Sequence, residues 1–92
     1  MPLYYFHLRD GSDQLLDPEG SILVDIDAAR TRAIAAARSL MSADVLDGRL
    51  RLNQHIDIED EHGAVVHCLP FPGALEIVPP EAWVGPPAPG PR

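Results

Sequence analysis

The stretch DIDAARTRAIAAARSLMSADVL, residues 25–46, decides the fold, because it is the longest segment with the periodicity of an amphipathic helix. One face of the predicted helix carries small or apolar side chains, namely Ile26, Ala29, Ala33, Ala36, Ala37 and Leu40, with Ile34 and Met41 together on one flank. The opposite face carries Thr31, Arg32, Arg38, Ser39 and Ser42. We therefore predict one helix that buries a single face.

Both ends of this helix carry the expected signals. Asp25 can accept hydrogen bonds from the free amides of the first turn, and Gly48 can end the helix just past Leu46. The buried face is mostly alanine, which allows close approach but buries little area per residue. It therefore needs a partner with larger side chains, and we predict a β-sheet.

The N-terminal segment supplies such a surface. Residues 3–10, LYYFHLRD, alternate so that Tyr4, Phe6 and Leu8 would face the helix. The alternate residues Tyr5, His7 and Arg9 would then face outward. A short return strand is predicted at residues 14–17, followed by a type I turn at DPEG, residues 17–20, and an extended run at residues 21–24.

A second hairpin follows the helix. Residues 55–59 alternate polar and apolar, and the turn at residues 60–63 ends in Gly63, which predicts a bulged type I turn with a positive φ at the glycine. This register pairs Ile58 with Val66 and Ile56 with Cys68 on the inner face, and Asp57 with His67 on the outer face. A turn without the bulge would instead bring His67 inside.

These segments predict an α+β fold with ββαββ order, a mainly antiparallel four-stranded sheet and one helix on one face. Two strand orders are compatible with the sequence, 2-1-3-4 and 2-1-4-3. We assign residues 1–73 to one domain. The proline-rich residues 74–92 would be an extension, with an edge strand possible at 74–78, disorder beyond residue 79, and Trp83 either docked or free.

Composition restricts the classes of function. The formal net charge is −7 and all basic residues are arginines, so the chain would repel a nucleic-acid backbone. Its one cysteine, Cys68, excludes an internal disulfide framework. The sequence has no signal-like N-terminus or long apolar run, so we expect a cytoplasmic protein that does not enter a membrane.

Five stretches in the same order carry a family resemblance: YYFHLRDG, DPEG, DIDAARTRA, IDIEDEHGAVV and LPF. Over about residues 1–73 the chain resembles domain-of-unknown-function family 6894, a group of small alphaproteobacterial proteins. The resemblance implies a small stand-alone cytoplasmic domain. It brings no catalytic motif that could be transferred to this chain.

The outer face of the predicted sheet gathers the candidate functional residues, Tyr5, His7, Arg9, His55, Asp57, Glu59 and His67. Imidazole and carboxylate groups suit zinc, but no two of them have a familiar ligand spacing, so we predict no metal or cofactor. Cys68 cannot pair with the adjacent His67 as a catalytic dyad, because neighbouring strand residues point to opposite faces.

We therefore predict a non-enzymatic module that binds a protein or ligand through the open sheet face, or that self-associates. Tyr5, His7, Arg9, Asp57 and His67 are the expected contact residues. The rival hypothesis is a small metal- or ligand-dependent enzyme that uses His7, Asp57 and His67.

Overall fold

The computed structural model describes residues 1–82, in which one long helix lies across one face of an antiparallel sheet. The elements, in chain order, are β1 (Leu3–Asp10), β2 (Asp13–Leu15), β3 (Ser21–Ile22), α1 (Ile26–Leu46), β4 (Gln54–Asp60) and β5 (Val65–Pro70). Two 3-10 turns follow, at Phe71–Ala74 and Pro80–Ala82. The predicted α+β class is confirmed.

The strands are ordered β2-β1-β4-β5, and each neighbouring pair is antiparallel. This is the first of the two predicted orders, 2-1-3-4. The short strand β3 also pairs with β1, with Leu3 opposite Ile22. The extended run before the helix therefore adds a fifth strand, and β2 and β3 lie beside opposite ends of β1.

Helix α1 begins as the sequence predicts but buries a somewhat different face. The carboxylate of Asp25 accepts a hydrogen bond from the Ala28 amide at 2.8 Å. The buried positions are Ala29, Ala33, Ala37, Met41 and Asp44. Ala36 and Leu40 were predicted to be buried, and both are exposed. The helix packs on β4, β5 and the turn at Phe71–Ala74, so its buried face is turned toward Met41 and away from β1.

This placement leaves an apolar groove between the helix and the β1–β2 side of the sheet. Its volume is about 240 Å³. The apolar side chains that line it include Phe6, Leu8, Leu15, Leu16, Ala36 and Leu40. Because the groove is open to solvent, several of its large apolar residues are exposed. Leu15, for example, is 69% exposed.

The turn between β4 and β5 has the predicted bulge. Gly63 has a φ of 82°, and its amide donates a hydrogen bond to the Asp60 carbonyl at 3.1 Å. The Asp60 carboxylate accepts hydrogen bonds from the amides of His62 and Ala64, at 2.8 and 3.0 Å. Next to the turn, Glu59 pairs with Val65, which is the register that this turn sets.

A second irregularity between Ile58 and Glu59 shifts the rest of the hairpin by one residue. The resulting cross-strand pairs are Ile58 with His67, Asp57 with Cys68, and Ile56 with Leu69. The predicted pairs of Ile58 with Val66, Ile56 with Cys68 and Asp57 with His67 are therefore wrong.

The shift exchanges the faces of His67 and Cys68, because alternate residues of a strand point to opposite sides. His67 lies on the helix side and Cys68 on the open side. The physical reason is that the shifted register buries more apolar area. It places Leu69 in the core at 7% exposure, two residues before the fully buried Phe71. Leucine gains more from leaving water than the smaller cysteine would.

The segment after β5 closes the core and does not add a strand. Phe71 and Ala74 are buried against the helix, and Arg38 Nε donates to the Ala74 carbonyl at 2.8 Å. The expected edge strand at 74–78 is not formed, because the 3-10 turn places Ala74 in the core and residues 75–79 lack regular structure. The predictions for residues 83–92, including the docking of Trp83, lie outside the described residues.

Candidate functional site

The open face of the sheet is the side opposite the helix. It carries the alternate residues of β1 and β4, which pair as Tyr5 with Glu59, His7 with Asp57, and Arg9 with His55. Among residues 1–82, the helix and the turn at Phe71–Ala74 both pack on the other side.

The structure brings four of the predicted contact residues together on this face: Tyr5, His7, Arg9 and Asp57. It does not bring His67, which lies on the helix side opposite Ile58. The residues of the rival enzyme hypothesis, His7, Asp57 and His67, are thus divided between the two faces and form no common site. The functional role of the other four stays a prediction.

Arg9, near the C-terminal end of β1, contacts side chains of both neighbouring strands on the open face. Its Nε donates to Asp57 Oδ2 at 3.1 Å, and its Nη2 lies 3.6 Å from Glu59 Oε2. Its Nη1 donates to the side-chain oxygen of Gln14 in β2. The carboxylates of Asp57 and Glu59 are therefore held in place by one guanidinium.

His7 is the most buried polar residue of the open face, with 8% exposure. Its ring is stacked with Tyr5, at 6.1 Å between ring centroids and an angle of 9°. His7 Nδ1 accepts a hydrogen bond from the Asp17 amide at 3.1 Å, so in the neutral ring the proton lies on Nε2. Nε2 is 3.3 Å from Glu59 Oε2, which can accept that proton's hydrogen bond. The imidazole is thus fixed in one tautomer and orientation.

Asp17 lies at the edge of β1 that faces away from β4, in the gap between β2 and β3. Its Oδ2 accepts a hydrogen bond from the Phe6 amide at 3.2 Å, in the gap between β2 and β3. Its Oδ1 accepts from the amides of Gly20 and Glu19, at 3.1 and 3.3 Å. The side chain replaces the missing strand as a hydrogen-bond acceptor.

These contacts determine the charge of Asp17. Partial burial acts to raise the pKa of its carboxyl, but hydrogen bonds from the Gly20, Phe6 and Glu19 amides, with the nearby His7, outweigh it and lower the pKa below the ordinary value. The sequence places Asp17 at the end of the predicted return strand and at the start of the DPEG turn, and it indicates no further role for this residue. Its place at the start of the DPEG turn indicated the bonds to residues 19 and 20, whereas the bond to Phe6 depends on the fold.

His55, Asp57 and Cys68 form a cluster at the β5 side of the open face. His55 Nε2 lies 3.4 Å from Asp57 Oδ1, and Cys68 lies directly across from Asp57. One side-chain ligand atom from each of the three lies within 4.8 Å of the other two. Sequence reasoning missed this cluster because it placed Cys68 in the core.

The thiol of Cys68 is not an activated nucleophile. Although the side chain is exposed, desolvation by neighbouring atoms raises the pKa of the thiol, and a hydrogen bond to Asp57 and the negative charge of that carboxylate act in the same direction. The thiol is therefore protonated at neutral pH.

A second polar cluster, away from the open face, joins the end of the helix to the following loop. Arg51 binds Asp44 with both Nη2 and Nε, at 2.9 and 3.1 Å, and its Nη1 lies 3.5 Å from Asp10 Oδ2. The side-chain hydrogen bond from Arg51 lowers the pKa of Asp44. The pair explains why an aspartate occupies the buried face of the helix, and its role is structural.

No helix among residues 1–82 combines the length and the apolar character needed to cross a membrane.

Comparison with known proteins identifies the family but no functional relative. No curated protein and no solved structure matches the chain. A family model described as Domain of unknown function (DUF6894) matches residues 3–72, which is most of the 92-residue chain. The match covers β1 to β5 and the helix, and the chain therefore belongs to the DUF6894 family.

Proposed function

We propose that this protein is a non-enzymatic, cytoplasmic module that binds a basic protein surface through the open face of its sheet. The observation that carries the proposal is that no described element covers this face, although its side chains are already ordered by mutual contacts. A preordered surface loses little conformational entropy when a partner binds.

The open face offers an apolar anchor at one end and charged groups in its middle. Leu3, Tyr5 and Ile22 lie together at the N-terminal end of β1, and Ile22 is 63% exposed. Next to them are the carboxylates of Glu59 and Asp57 around the single guanidinium of Arg9. An aromatic or aliphatic anchor with a polar rim is the usual composition of a protein-binding surface.

Charge favours a basic partner over a second copy of this chain. The formal net charge of −7 makes two copies repel each other, whereas it attracts a positively charged protein. The same charge disfavours nucleic acid and anionic membrane surfaces as partners.

The proposal is tested with purified bait proteins that differ only at exposed apolar residues. Ile22→Glu alters the open face, and Val45→Glu, at a position 58% exposed on the last turn of α1, is the matched control. We expect the parent and Val45→Glu to retain the same basic protein from a native extract, and Ile22→Glu to lose it. The captured protein is then purified, and its affinity for each variant is measured by calorimetry.

Equal affinity of all three baits for that protein would reject the open face as the binding surface. The alternative prediction is self-association, and it is tested by measuring the oligomeric state of the purified parent by sedimentation. A dimer that Ile22→Glu dissociates and Val45→Glu does not would assign the face to self-association.

A further inference from the structure

We infer that His55, Asp57 and Cys68 form a binding site for a divalent transition metal of the zinc type on the open face. The site needs only three side chains of one chain, so this inference stands apart from the proposed function. The three residues come from adjacent positions of the paired strands β4 and β5.

The types of ligand select the metal. Imidazole nitrogen, carboxylate oxygen and thiolate sulfur together suit zinc and its neighbours in the first transition series, whereas magnesium and calcium prefer oxygen alone. Three protein ligands leave one position of a tetrahedral zinc ion for water or a further donor.

The distances fit such an ion. Zinc bonds of about 2.0–2.3 Å place two ligand atoms of a tetrahedron roughly 3.3–3.7 Å apart. His55 Nε2 and Asp57 Oδ1 are already 3.4 Å apart, and all three ligand atoms lie within 4.8 Å of one another. This limit is wider than the spacing in a tetrahedral site, so the exposed Cys68 side chain would rotate toward the other two ligands when the ion binds.

Arg9 supports the site from outside the ligand set. It donates to Asp57 Oδ2, which leaves Oδ1 directed toward His55. A neighbouring donor that orients a carboxylate in this way is a common feature of metal sites in proteins. Binding replaces the proton of the Cys68 thiol by the metal ion, so the metal–sulfur bond forms as the S–H bond breaks and the proton passes to water.

Metal binding would connect β4 to β5 beside the bulge that sets their register. It would therefore stabilise the folded chain by mass action, with a rise in melting temperature that depends on metal concentration. It would also present an ion with an open coordination position on a surface that no described element covers.

The test uses the full chain without an affinity tag, stripped of metal and kept reduced with a phosphine. Cobalt(II) is the probe, because a thiolate bound to it gives a charge-transfer absorption that histidine or carboxylate ligands do not give. We expect one equivalent of cobalt to produce this band and one equivalent of zinc to remove it.

Two variants test the ligands and a third is the control, and a melting curve of each metal-free variant shows that it folds. Cys68→Ser should abolish the charge-transfer band, and His55→Ala should weaken zinc binding by roughly tenfold or more. His62→Ala is the control, because His62 is an exposed histidine of the adjacent turn, with 81% of its side chain accessible. It should bind zinc as the parent does.

The inference is overturned if the parent gives no charge-transfer band with cobalt. It is equally overturned if Cys68→Ser leaves the band unchanged, or if His62→Ala weakens zinc binding as much as His55→Ala. The last result would show that zinc binds to scattered surface histidines.

Discussion

Replacement of Asp17 by asparagine should destabilise the protein in a pH-dependent way. The carboxylate accepts hydrogen bonds from the amides of Phe6, Glu19 and Gly20. Asparagine keeps the shape and one oxygen acceptor, but its NH₂ group would face one of these donors. The bond most affected is the one to Phe6, since neither β2 nor β3 pairs with β1 at that position and β4 lies along the other edge.

The expected magnitude follows from this single lost bond. A hydrogen bond to a charged group contributes about 1.5–3 kcal/mol, and Asp17 is only partly buried, so water compensates in part. We expect Asp17→Asn to lower the free energy of unfolding by about 1–2 kcal/mol at neutral pH. For a domain of this size that is a substantial share of roughly 5–10 kcal/mol.

Acid should reduce the difference in stability between the two proteins. The pKa of Asp17 is lowered in the folded chain from an ordinary value of 3.8, so its stabilising contribution is complete above that value. The contribution is lost as the pH falls below 3.8 and through the folded-state pKa. Asp44 and Asp60 also have lowered pKa values, but they are present in both proteins, so their contributions cancel.

The assay is urea unfolding of the parent and the variant at neutral pH and at about pH 3. Asp13→Asn is the control, because it removes the same charge from an exposed carboxylate in β2. The variant should be less stable than the parent at neutral pH and closer to it in acid. A loss of the same size at both pH values, or an equal loss from the control, would refute the reasoning.

Two further predictions concern the core and the hairpin. Ala33→Glu should lower the free energy of unfolding by several kcal/mol, because Ala33 is fully buried, whereas Ala35→Glu on the exposed face should change it by less than about 1 kcal/mol in the same urea titration. Gly63→Val should cost about 1–3 kcal/mol, because the position has a φ of 82°. Gly63→Asn should retain most of the stability, and similar melting temperatures for Val and Asn would contradict the strain argument.

Local patterns in the sequence determined the elements and most of the open face. Residues 25–46 have the period of a helix, Asp25 caps it, and the glycine at position 63 indicates the bulged turn, whose positive φ favours glycine. These features depend on side chains a few residues apart, so they can be derived without the fold. The alternation in residues 3–10 likewise placed Tyr5, His7 and Arg9 on one face.

Only the tertiary structure decided which residues of β5 and of the helix are buried in the core. The hairpin turn by itself sets Cys68 inside, but Leu69 and Phe71 gain more by burial, and a second bulge moves Cys68 to the open face and His67 to the helix side. The rotation of the helix toward Met41 has a similar cause, since it follows from packing on the turn at Phe71–Ala74.

The candidate metal site and the hydrogen bond from Phe6 to Asp17 were not predicted, because both depend on the tertiary fold. The approach of Cys68 to His55 depends on the shifted register, and the bond from Phe6 to Asp17 depends on β2 and β3 sharing one edge of β1. The sequence by itself determined the period, caps and turns of each element, because those are local preferences of the backbone. Only the tertiary structure decided the register and the shared sites, because they result from competition for apolar burial among residues distant in the chain.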